Sequence, residues 1–254
     1  MDTVADDRRA LMGSFLRIFV YPFSSVGGAG FLLAGTAALT LTHSLRTGLR
    51  RDPTFYLLIL SGLLIASYLY RIVEETVTGN DRPPGLKPED WEDSWHDLLH
   101  YLGGIVVAFL PVLILILYAW TEQEGHLGRP RFQALLGMLL VLGTLYFPVA
   151  LLLNGFSQKF ATAFNFAVGF RGIRAMGSDY ALCCAFFLLA HAAWILLEIT
   201  WVGSTPRGLN GSRIGTSAVT SLTGLYLSML QMRVLGLIYR KHQERLGWSL
   251  GEDG

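Results

Sequence analysis

Charge is what this chain has least of. Acidic and basic residues make up 15% of its 254 positions, against about a quarter in an ordinary soluble domain. At the same time 52% of the residues are hydrophobic. So few charges cannot cover a water-facing surface of this size, which excludes an ordinary soluble globule and points to lipid as the solvent. No basic cluster stands out, and the formal net charge is +1, so nucleic acid is excluded as a partner. Cysteine is nearly absent: Cys183 and Cys184 are adjacent in an apolar run, with neither the spacing of a disulfide framework nor that of a zinc ribbon. Also missing are G-x-G-x-x-G after a strand, a G-K-[ST] loop, G-x-S-x-G and H-E-x-x-H, which removes the familiar nucleotide, hydrolase and metalloprotease chemistries. The opening "MDTVADDRRALMGSFLRIFVYPF" has early acids, a short apolar patch and no small-residue cleavage site. We therefore read it as an interfacial lead-in ending at Pro22 and not as a removable signal peptide.

What the chain does have is apolar runs of membrane-spanning length. About 20 apolar helical residues cross a bilayer core of roughly 30 Å, and helix is required because lipid cannot satisfy backbone polar groups. Six segments qualify: Val26 to Ser44, Phe55 to Val73, Leu99 to Trp120, Ala134 to Leu153, Ala181 to Trp201 and Thr216 to Tyr239. "LRTGLRRDPT" makes a tight hairpin between the first two. With the N-terminus inside, 13 Lys and Arg fall on the inner side and 7 on the outer. The positive-inside rule thus favours cytoplasmic termini in a bacterial inner membrane. Trp91, Trp95 and Trp248 then lie near one interface and Trp120 and Trp201 near the other, as an aromatic belt requires.

The expected fold is an all-α polytopic transmembrane bundle of six spans with interfacial amphipathic helices. Residues 1–25 form the lead-in, 26–239 the membrane domain and 240–254 a basic cytoplasmic tail resting on anionic lipid. Two longer segments, 74–98 and 154–180, lie on the cytoplasmic side. The second is read as one or two interfacial helices broken at Gly169 to Gly172. Pro111 and Pro148 sit inside the third and fourth spans, where packing explains them better than a transport cavity does. Small-xxx-small spacings, such as Gly62 with Ala66 and Gly104 with Ala108, point to close helix contacts.

"GNDRPPGLKPEDWEDSWHDLLHYLGG", residues 79–104, concentrates the polar chemistry. Asn80, Asp81 and the Pro-Pro pair make a turn. Pro88, Glu89 and Asp90 then start a helix with acids where its dipole favours them. Asp81, Glu89, Asp90, Glu92, Asp93 and Asp97 form a candidate docking surface on the cytoplasmic side. Glu92, His96 and His100 recur every four residues, but the two steps rise about 12 Å along the axis, too far for all three to share one ion. His96 and His100 alone are a weak candidate metal pair, and a solvated, pH-sensitive face is the plainer reading.

Ionisable residues inside spans are costly and mark functional candidates. His191 lies mid-span, Glu198 follows seven residues on along nearly the same face, and His43 closes the first span on that side. Together they are a candidate intramembrane polar site for a proton, cation or ligand. A hydrogen-bonded interhelical histidine is the simpler account of His191, and an axial haem role lacks a partner histidine at matching depth. Arg233, near the end of the last span, is expected to snorkel to the headgroups.

The "VYPF" lead into a Gly-rich first span, the "GNDRPPG" turn followed by "WEDSW", and the closing "LGLIYRKHQERLGW" resemble a loose group of uncharacterised bacterial six-span proteins, some described as Yip1-like. The resemblance implies a multi-span bundle without established catalytic residues, so no active site is carried over. Yip1-type proteins proper have five spans, and the six counted here depart from them. The expected function is that of a non-catalytic membrane-organising protein or accessory subunit of a larger membrane complex. Its partners would be lipids and other membrane subunits or copies of itself. A small transporter or ion pathway using His191 and Glu198 is the alternative, and a membrane-embedded metal or haem enzyme the third. The residues require no cofactor; lipid or pigment contacts fit equally well.

Overall fold

The computed structural model describes residues 17–48, 51–85, 91–121, 130–156, 164–202 and 210–247. The described residues hold no strand; after a helical segment at 17–20 come α1 (Val26–Gly48), α2 (Arg51–Val77), α3 (Trp91–Thr121), α4 (Pro130–Phe156), α5 (Phe166–Met176), α6 (Ser178–Leu197) and α7 (Asn210–Leu246). A 3-10 turn, Tyr21–Phe23, precedes α1, and a π-turn, Glu198–Val202, closes α6. Five of the six apolar runs lie within one long helix each, and the fifth, Ala181 to Trp201, fills most of α6 and ends in the π-turn. Five helices are long and apolar enough to cross a membrane; a sixth crossing exists if Arg17–Phe23 and Val26–Thr42, bent by 71°, form one span. The bend has a local cause. Pro22 has no N–H to continue the helix, and both the amide and the hydroxyl of Ser24 donate back to the Tyr21 carbonyl, at 3.0 and 2.7 Å.

The axis of the bundle is α7, which packs against α1, α2, α5 and α6. Its middle is enclosed on every side: Met229, Leu230, Leu235 and Tyr239 are fully buried. The closest helix pair is the α3–α4 hairpin, where a Cβ on Gly104 would lie 3.0 Å from the Leu151 Cα. Both helices run on without interruption through Pro111 and Pro148.

Packing is uneven along the bundle. At the end formed by residues 65–77 of α2, 97–112 of α3, 143–156 of α4 and 229–242 of α7, side chains interlock; Val149, Ala150, Leu151 and Leu152 are all 0% exposed. We call this the closed end. At the opposite, open end the helices separate. Tyr56 to Leu60 are five consecutive exposed residues, so that part of α2 is open on all its faces. Leu140 to Leu142 of α4 and Ile116 to Tyr118 of α3 repeat the pattern.

One expectation is corrected here. The segment after α4 does not break at Gly169 to Gly172: α5 runs through both, capped by the Asn165 side chain, which accepts from the Val168 amide at 3.3 Å. Gly169 serves close packing instead, since a Cβ there would lie 2.5 Å from the Tyr146 hydroxyl. The break comes at Gly177, whose φ of +57° falls in the left-handed region that glycine adopts without penalty. Of the basic tail expected over 240–254, the described part continues α7 as helix to Leu246. There the buried His242 Nε2 and the Lys241 ammonium both reach Asp179 Oδ2 on α6, at 2.8 and 2.6 Å.

Candidate functional site

The turn at residues 79–85 is a plug in the closed end. Gly79 has φ +94°, a value that reverses the chain directly after α2. Asn80 donates to Glu75 Oε2 at 2.6 Å and its own Oδ1 accepts from the Arg82 amide at 3.1 Å, an Asx-type lock on the turn. The two prolines then press into the start of α1. Tyr68 donates to the Pro84 carbonyl at 3.1 Å and Ser25 to the Pro83 carbonyl at 3.3 Å. A Cβ on Gly27 would lie 2.5 Å from Pro84 O, and one on Gly28 would lie 2.8 Å from Pro83 Cγ. Only glycines let the turn seat this deeply.

From the far side Arg233 of α7 closes on the same turn. Its guanidinium donates to Thr76 Oγ1 at 3.0 Å, to the Asn80 carbonyl at 2.8 Å and to Asp81 Oδ1 at 2.5 Å, and lies 4.7 Å from the centroid of the Tyr21 ring. Its side chain is 7% exposed. This corrects the expectation that Arg233 snorkels: the buried head clamps α2, the turn, α7 and the N-terminal turn together. Asp81, expected on the docking surface, is exposed but spends one oxygen on this clamp.

A second polar group lies where α2, α3 and α4 meet. Asp97, also expected to dock a partner, is buried, with Oδ2 3.8 Å from Arg71 Nε. Nearby, Asn154 of α4 is completely buried beside α3 and donates to the His100 carbonyl at 2.6 Å. The Tyr70 and His100 rings stack at 5.6 Å, and Gly155 leaves room for the Tyr70 hydroxyl. His96 and His100 meet edge to face at 4.5 Å. Among the described residues no group of three or more His, Cys, Asp or Glu could hold a metal. Glu89 and Asp90, and the side chains of Glu92 and Asp93, lie outside the described residues.

His191 is exposed on α6. Its Nδ1 is 2.8 Å from the Phe187 carbonyl and 3.2 Å from Gln231 Nε2, so one ring nitrogen is bound inward to α7. Glu198 is exposed where α6 passes into the π-turn. Cys184, His191 and Glu198 follow at seven-residue steps, a drift of only about 20° per step around a helix. Cys184, two turns below His191, touches the Leu145 carbonyl of α4 through its thiol at 3.5 Å, and Tyr180 donates to the same carbonyl at 2.6 Å. Above that contact α4 and α6 part: Met138, Val141 and Leu142 on one and Leu189 and Ile195 on the other are all exposed. His191 and Glu198 therefore share one stripe bordering a lateral gap. His43 lies in α1, and its side chain is outside the described residues.

Sequence reasoning found the stripe, because an ionisable residue in an apolar run is conspicuous. It missed the fully buried Asn154, although an amide at the end of an apolar run beside glycine carried the same signal. The Arg233 clamp had no local signal, since its partners are more than 150 residues away.

Residues 53–203 match the family described as a protein of unknown function (DUF4013). That is more than half of the chain, which belongs to this family. No curated protein and no solved structure matches the chain.

Proposed function

We propose that this DUF4013 member is a multi-pass protein of the bacterial inner membrane, with both termini cytoplasmic, that works without catalysis as a membrane-organising or accessory subunit. The observation that carries this reading is the unequal packing. Polar side chains at the closed end are spent on holding helices to one another, while the open end offers broad apolar faces on α2, α3, α4 and α6. Exposed apolar surface of this extent marks contact with lipid or with other spans. Glu89, Asp90, Glu92 and Asp93 remain the docking surface in this proposal, without Asp97 and with Asp81 engaged in the clamp.

The test is recovery from native membranes in mild detergent, followed by native electrophoresis and mass spectrometry. A defined complex is expected, lost when Glu89, Asp90, Glu92 and Asp93 are changed to Lys while the helical content is unchanged. A lone monomer in both forms overturns the reading. The transport alternative is favoured by one observation, the shared stripe of His191 and Glu198 along the gap. Proton or cation flux into proteoliposomes that vanishes in His191→Ala or Glu198→Gln would establish it.

A further inference from the structure

The α4–α6 gap has a register. The two helices are antiparallel and fixed to one another where Tyr180 and Cys184 meet the Leu145 carbonyl. Seven residues towards the open end from that contact are Met138 on α4 and His191 on α6; seven further are Arg131 and Glu198. With a rise of 1.5 Å per residue, the second pair lies about 10 Å and the third about 21 Å above the floor on both helices. Arg131 and Glu198 are both exposed, and no ion pair joins them among the described residues. The mouth of the gap thus carries one guanidinium and one carboxylate at the same depth. Trp201, three residues beyond Glu198, is 48% exposed, as suits a side chain at the headgroup level. Between mouth and floor the walls are the flexible apolar side chains of Met138, Val141, Leu142 and Ile195.

We propose that this gap binds a single phospholipid with a zwitterionic headgroup bearing a primary amine. Its phosphate sits on Arg131, whose planar fork suits phosphate oxygens. Its ammonium sits on Glu198, and one acyl chain runs down the gap to the Leu145–Cys184 floor. Depth selects a lipid over a helix. The floor closes the gap about 21 Å in, whereas a spanning helix must cross a core of roughly 30 Å and would be forced off the surface below Leu145. One leaflet's acyl layer is about half that core, which the gap accommodates with a headgroup to spare. Charge selects the headgroup: with the phosphate held on Arg131, a lipid without an amine leaves Glu198 facing that phosphate uncompensated, and a primary ammonium donates hydrogen bonds to the carboxylate that a quaternary one cannot. This goes beyond the accessory role and rests only on the chain being embedded in a bilayer.

The experiment is native mass spectrometry of the delipidated full-length protein in detergent, titrated separately with phosphatidylethanolamine, phosphatidylcholine and phosphatidylglycerol. One phosphatidylethanolamine is expected to be retained about tenfold more tightly than the other two, equivalent to about 1.4 kcal/mol. Arg131→Gln and Glu198→Gln, both at exposed helix ends where folding is not at stake, each reduce that retention about tenfold. Val141→Trp fills the gap and removes the bound lipid with both charges intact. Equal retention of the three lipids, or undiminished binding in both charge variants, overturns the proposal. So does a dimer in place of a lipid adduct, which would assign the gap to a second copy. Loss of the native complex in the docking test above leaves each of these readouts unchanged, so the two proposals fail separately.

Discussion

Replacing Arg233 with Met tests whether the clamp holds the closed end. The substitution keeps the length and apolar stem of the side chain but removes the guanidinium. Three hydrogen bonds go with it, at 3.0 Å to Thr76, 2.8 Å to Asn80 and 2.5 Å to Asp81, together with the stacking on Tyr21. Hydrogen bonds to a charged group contribute about 1.5–3 kcal/mol each, but the three are not equivalent. Asp81 is 76% exposed, so its share is that of a surface pair, about 0–1 kcal/mol. Thr76 also donates to the Ile72 carbonyl at 2.6 Å and is not orphaned by the change. The Asn80 carbonyl loses its donor outright. The expected cost is about 2–4 kcal/mol for Arg233→Met and about 1 kcal/mol or less for Asp81→Asn. Equilibrium unfolding in mixed micelles, titrated with a denaturing detergent and followed by Trp fluorescence, measures both. A snorkelling arginine would give almost no loss in either variant. The reasoning is refuted if Arg233→Met is neutral, or if Asp81→Asn costs as much.

Gly28→Ala should destabilise the fold by more than about 1 kcal/mol, because its Cβ meets the Pro22 carbonyl and the Pro83 ring. Gly137→Ala has open space around it and should be neutral or stabilising by up to about 1 kcal/mol through helix propensity; thermal stability of the two variants side by side decides. Asn154→Leu removes a buried amide and its bond to the His100 carbonyl, for an expected loss near 1 kcal/mol or somewhat more, read by the same unfolding titration; a stabilised variant would mean that the amide holds nothing in place. Substituting both His96 and His100 by Ala should leave the metal content of the purified protein unchanged, by elemental analysis. Reporters fused to the two ends should both read the cytoplasm; opposite compartments would mean that the bent pair at the N-terminus does not cross.

The helices were legible from the sequence because lipid imposes a crude rule: a run of about 20 apolar residues has only one way to satisfy its backbone. All six runs lie in helix, and four of the helices, α2, α3, α4 and α7, extend past both expected ends. Legibility failed where identity depends on distant partners. Asp97 reads as one more acid in an acidic stretch, yet α3 turns it inward to Arg71, and nothing in "WEDSWHD" distinguishes it from its neighbours. Arg233 sits where a lipid-seeking arginine belongs, and only the fold reveals a turn from the second loop waiting beneath it. Gly169 and Gly172 read as a helix break because glycine favours one in isolation, whereas Tyr146 needed the space that a missing side chain leaves. The difference in packing between the two ends was invisible, since apolar residues facing lipid and apolar residues facing protein have the same composition. His191 and Glu198 were found individually, but the residue across from Glu198 came only with the register of α4 against α6.

The seat of the first helix imposes an order on biogenesis. Gly27 and Gly28 fit against a turn that emerges from the ribosome only after α2, and Arg233, which fastens that turn, belongs to the last helix made. The N-terminal piece must therefore wait, inserted but unfastened, through nearly the whole of translation. A chain stalled or truncated before residue 233 would keep its leading end loose, and a quality-control protease would find there its earliest sign that synthesis had not been completed.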